Sequence, residues 1–169
     1  MIQRIIAAWL LLSICAPVSG QLCFPVKKTF AYFQPVTPGN AAKSEVRKST
    51  KGGNYYLYLE SRREGVSVSD IWIDGVHYAA AIKQVTSPVS LPSTFVNPAV
   101  TDKDINKVLV PPTRRFVYQV MLHADSTNVF EPPPARYEKS PVIFRVKYRN
   151  KTRVMERKEI IVLDPVGMM

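Results

Sequence analysis

Apolar residues recur at every second position through much of this chain, the period of a β-strand that buries one face. In Asn54 to Glu60, Tyr55, Leu57 and Leu59 fall on one side and Tyr56 and Tyr58 on the other, with Gly52-Gly53 before the run and Gly65 after it. From Arg115 to His123, Phe116, Tyr118, Val120 and Leu122 alternate with Val117, Gln119, Met121 and His123. Apolar side chains on both faces predict a central strand there. Val142 to Arg149 sets Phe144, Val146 and Tyr148 against Arg145, Lys147 and Arg149. Val66 to Ser69 alternates cleanly, then Asp70-Ile71-Trp72-Ile73 shifts phase, which predicts a bulge or a break.

The turns follow from residue type. Asp74-Gly75 lies between β-formers, and both central positions of a type I′ turn need positive φ. That turn sets Trp72 across from His77 and Ile71 across from Tyr78, with the second arm running to about Val85 through the weak strand formers Ala79 to Ala81. A second hairpin is predicted around Asn150-Lys151, pairing Arg145 with Glu156 and Val146 with Met155. Residues 86–113 carry Pro88, Pro92, Pro98, Pro111 and Pro112 and read as a long loop. Inside it, Thr101-Asp102-Lys103-Asp104 predicts a cap for one or two helical turns bearing Ile105, Val108 and Leu109. Pro132-Pro133-Pro134 stiffens a further loop. With Thr29 to Val36 added, about seven strands joined by two long proline-rich loops predict an all-β fold, an antiparallel β-sandwich. It is immunoglobulin-like in broad architecture only, because the Cys…Trp…Cys hallmark is missing.

The N-terminus reads as an export signal. A basic Met1-Ile2-Gln3-Arg4 precedes the almost entirely apolar run Ile5 to Ala16, and small residues at Val18-Ser19-Gly20 place cleavage before Gln21. That run falls short of the roughly 20 residues a membrane span needs. The expected organisation is a signal peptide at 1–20, one β-sandwich domain at 21–163 and a flexible tail at 164–169. Cleavage removes Cys15 and leaves Cys23 alone, so no internal disulfide supports the fold. It also removes Arg4, leaving 22 Lys and Arg against 13 Asp and Glu, a net charge of +9. An apolar content of 46% argues against a disordered chain.

Asp102, Asp104 and Asn106 copy the first half of a calcium loop, but Lys107 replaces the turn glycine and Thr113 the bidentate acid. His77 and His123 are the only histidines, too few for a zinc site without carboxylates such as Asp70 and Asp74. No nucleophile elbow or glycine-rich phosphate loop is present. No catalytic residue, metal or cofactor is therefore expected.

Two surfaces are left. Arg136 to Lys158 holds nine Lys and Arg against Glu138 and Glu156, a local +7, with Arg145, Lys147 and Arg149 on one strand face. Such a face suits a polyanion, and equally protects a sheet edge from pairing. Aromatics on strands taken as neighbours offer Tyr56, Trp72 and Tyr78 for stacking or for a protein partner, although a sandwich core also consumes such residues. Asn150-Lys151-Thr152 matches a glycosylation acceptor at the hairpin tip. The expectation is an exported, non-enzymatic binding or accessory protein, periplasmic, cell-surface or extracellular. Its expected partner is a protein or an acidic glycan, not nucleic acid. The alternatives are an assembly subunit docking through an edge strand or its N-terminal segment, and a hydrolase with dispersed acids.

Overall fold

The structure is a computed structural model that describes residues 24–37, 52–91, 107–123 and 132–167. The segment 1–20 expected to be a signal, Cys23 and the Thr101 to Asn106 run lie outside the described residues. The strands are β1 (Val26–Thr37), β2 (Gly53–Ser61), β3 (Val66–Ile73), β4 (Val76–Val85), β5 (Val89–Ser90), β6 (Val108–Val110), β7 (Phe116–His123), β8 (Val142–Tyr148), β9 (Lys151–Arg157), β10 (Ile161–Val162) and β11 (Val166–Gly167). Among the described residues a 3-10 turn spans Ala135–Tyr137.

The molecule is all-β, built around a curled and mainly antiparallel sheet. Its hydrogen bonds follow one path, β10-β1-β2-β7-β4-β3-β8-β9, with β11 also on β1 and β5–β6 a separate pair. The strands do not separate into the two sheets expected of a sandwich, because β4 pairs with both β3 and β7 and so keeps them in one sheet. β7 sits between β2 and β4, the central place that its two apolar faces predict.

Alternation then sorts the side chains. On the inner face Leu57, Leu59, Ile71, Val142, Phe144 and Val146 are fully buried in one core. Each contributes about 1.5–3 kcal/mol by leaving water. The predicted phase shift is a register shift between Val68 and Asp70. It lets Val66 and Val68, then Ile71 and Ile73, all face inward, and it turns Asp70 and Trp72 outward. Asp74 (φ 49°) and Gly75 (φ 81°) form the expected turn, with Trp72 opposite His77 and Ile71 opposite Tyr78.

A second core lies on the other face of β1, β2 and β7. Tyr32, Tyr58, Val117 and Leu163 pack there against Leu91, Leu109 and Val110 from the β5–β6 segment. The Tyr32 hydroxyl donates to the Leu109 carbonyl at 2.6 Å, fastening that cover to the sheet. Burial pushes the Tyr58 phenol up to about 12, with Tyr56 and Tyr32 adding to the effect.

Three local expectations change. The turn of the C-terminal hairpin falls at Arg149-Asn150, with Arg149 at φ 51° and Tyr148 opposite Lys151. Arg145 therefore faces Val154, and Glu156 faces Ile143. This register sets Met155 against the buried Phe144 and leaves Arg153 at the exposed end. Val108 and Leu109, expected on a helical turn, belong to β6 instead, because Val-Leu-Val pairs with β5 and buries Leu109 and Val110 completely. In the tail, Val166 and Gly167 pair in parallel with Val36 and Thr37.

Phe144→Ala should cost about 3–5 kcal/mol of stability in chemical denaturation. Val162→Ala, at a position 64% exposed, should stay within about 0.5 kcal/mol of the parent.

Candidate functional site

The bulge in β3 assembles a polar and aromatic stack on the outer face. Asp70 sits between Ala79 of β4 and Arg145 of β8 in the strand register, and Trp72 sits between His77 and Ile143. Asp70 Oδ1 lies 3.1 Å from His77 Nε2, and Arg145 Nη1 donates to Asp70 Oδ2 at 3.1 Å. The Arg145 guanidinium covers the Trp72 ring at 4.8 Å from its centroid, and the His77 ring lies 5.2 Å from the same indole. Trp72 is fully buried. One carboxylate thus orients both a histidine and an arginine, which together close over an indole.

Burial alone would raise the Asp70 carboxyl. The hydrogen bond with His77 and the charge of Arg145 outweigh it and hold the group below the usual 3.8. His77 lies across from Trp72 as the turn predicts, and its side chain is only 12% exposed. Among the described residues, no group of three or more His, Cys, Asp or Glu is placed to hold a metal ion.

The remaining predicted residues separate. Lys147 is exposed on β8, facing Ser67 on one side and Thr152 on the other. Arg149 occupies the hairpin turn with its guanidinium 5.4 Å from the Tyr148 ring. Tyr56 packs partly into the outer core, its hydroxyl donating to Gln34 Oε1 at 3.0 Å, and burial raises its phenol. Tyr78 packs partly against the inner core. No aromatic strip joins Tyr56, Trp72 and Tyr78. β7 and β4 stand between β2 and β3, and Tyr56 and Tyr78 pack in different cores.

The hairpin itself carries the densest exposed charge. Lys147, Arg149, Lys151, Arg153 and Lys158 are all exposed, and among the described residues none of them forms an ion pair. Arg153 reaches the Phe24 ring at 5.8 Å, close to where β1 starts. β9 ends the sheet and pairs with β8 alone among the described residues.

A second polar centre was not foreseen from the sequence. Glu60 of β2 is 3% exposed, accepts from Arg115 Nη1 at 2.6 Å and faces Lys28 across the β1–β2 ladder. Glu60 and Arg115 are 55 positions apart, and only the β2–β7 pairing brings them together.

No protein-family model, no curated protein and no solved structure matches the chain. Among the described residues, no helix is long and apolar enough to cross a membrane.

Asp70→Asn should lower stability by about 1–2 kcal/mol at pH 7, read by denaturant titration. Because the folded carboxyl is held low, its contribution is present above 3.8 and disappears as pH falls through the depressed value. The parent and the variant should therefore converge in acid, and a constant gap down to pH 2 would contradict the ion pair.

Proposed function

We propose that this is an exported, non-enzymatic binding or accessory protein of the cell envelope or extracellular space. It engages an acidic ligand or protein partner through its basic C-terminal hairpin. The observation that carries this reading is the run of exposed cations along β8, its turn and β9, with no ion pair among the described residues to neutralise it. Unpaired exposed cations concentrated at one end of a sheet raise the local concentration of an anion and speed its encounter. Arg145 belongs to the fold in this reading, since its charge is spent on Asp70 and its plane on Trp72. Export rests on the N-terminal pattern, and the non-enzymatic assignment on the absence from the sequence of a nucleophile or phosphate motif. A sandwich-like architecture is part of the same reading. The inner core draws at once on β1, β2 and β7 and on β3 and β8, as two facing layers would.

A second reading, assembly through a sheet edge, is favoured by one feature. β9 ends the sheet, and its outer edge makes no backbone pair among the described residues. The charges on Lys151 and Arg153 weigh against it, because they deter edge-to-edge pairing.

Lys147→Glu, Lys151→Glu and Lys158→Glu combined should shift elution from a heparin column to much lower salt, with an unchanged denaturation midpoint. All three side chains are exposed, so the fold has little to lose. Unchanged retention would contradict the hairpin as the binding surface.

A further inference from the structure

The polar centre at Glu60 opens into a pocket of about 370 Å³ lined by Lys28, Glu60, Pro111, Pro112, Thr113, Arg114 and Arg115. It shares no residue with the hairpin. We propose that this pocket binds one acidic sugar unit, a carboxylate-bearing saccharide.

The site is held rigidly before any ligand arrives. The Ser87 hydroxyl donates to the Thr113 carbonyl at 2.9 Å and accepts from the Thr113 N–H at 3.1 Å, tying the loop to a residue 26 positions away. The Arg115 N–H donates to Thr113 Oγ1 at 3.2 Å, and Thr113 Oγ1 in turn donates to Glu60 Oε1 at 3.4 Å. The guanidinium of Arg115 is fixed on the same oxygen. Preorganised polar groups of this kind need little ordering when a ligand binds.

Charge is layered through the pocket. Three cations and one acid line it, a net +2. The negative charge of Glu60 is spent on Arg115, whereas Lys28 and Arg114 are exposed and form no ion pair among the described residues. A carboxylate is thus attracted by the two outer cations. A bare divalent oxyanion driven deeper would meet the Glu60 carboxylate. Both bonds to Glu60 use Oε1, so Oε2 keeps the acceptor capacity that a sugar hydroxyl needs, and Arg115 keeps donors beyond Nη1. Pro111 and Pro112 supply an apolar wall for the face of a ring. The volume lies in the range of about 300–1,000 Å³ typical of small-molecule sites, more than a sulfate requires.

The test is an amide NMR titration of the exported chain with glucuronate, with glucose and inorganic sulfate as controls. Glucuronate should move the amides of Lys28, Thr113, Arg114 and Arg115, and glucose at the same concentration should not. The double variant Lys28→Glu with Arg114→Glu should weaken glucuronate roughly tenfold or more, the scale of one charge-assisted hydrogen bond. The rest of its spectrum should stay in place, because both side chains are exposed. Three results would overturn the proposal: sulfate matching glucuronate at the same amides, which makes this a plain oxyanion site; shifts confined to residues 147–158, which assigns the sugar to the hairpin; or no response to glucuronate at all.

Discussion

A single sheet that buries apolar side chains on both of its faces is the constraint behind this molecule. The inner face closes on itself as the sheet curls, so Leu57 and Leu59 of β2 share a core with Ile71 of β3 and Phe144 of β8. The outer face of β1, β2 and β7 cannot close that way and is covered instead by the short β5–β6 pair and Leu163. Between these solutions lies the outer face of β3, where an arginine and a histidine pack on an indole that also has Ile143 across from it. Without the register shift after Val68, either Val66 and Val68 or Ile71 and Ile73 would leave the inner core.

That same shift decides what the basic residues can do. Arg145 and Lys147 are two positions apart on one strand face, yet their environments differ. Arg145 lies over Trp72 and pairs with Asp70, a partly buried arrangement in which removing one member leaves the others uncompensated. Lys147 has only Ser67 and Thr152 across from it and keeps its charge for solvent or a ligand. A cationic surface on this protein therefore begins at Lys147 and runs around the hairpin, while the pocket at Glu60 forms a second, separate basic centre.

Much of the fold was legible because it is local. Asp74-Gly75 encodes its own turn and with it the β3–β4 register, and the alternation of Leu57 and Leu59 with Tyr56 and Tyr58 assigns the two faces of β2. The phase change at Asp70 marked where the ladder is irregular, and of the two outcomes it predicts, a bulge or a break, the register shift is the one found. What escaped is non-local or energetically close. The order β2-β7-β4-β3 depends on pairings across dozens of residues, and it is what separates the aromatics that look adjacent in sequence. The C-terminal turn admits two positions one residue apart, and both point Met155 to the inner face, so alternation alone does not choose between them. Likewise, Glu60 and Arg115 carry no motif; the strand pairing alone makes them partners.

The central claim is that Arg145 seals Trp72 as part of the fold, which leaves binding to the cations beyond it. Iodide quenching of tryptophan emission tests this most directly when the protein is produced from Gln21 onward, which leaves out Trp9 and keeps Trp72. The account predicts blue-shifted, quencher-protected emission at pH 7, and red-shifted, quenchable emission once Arg145 is replaced by Ala. Emission from the unaltered chain that iodide quenches as readily as a free indole would contradict it.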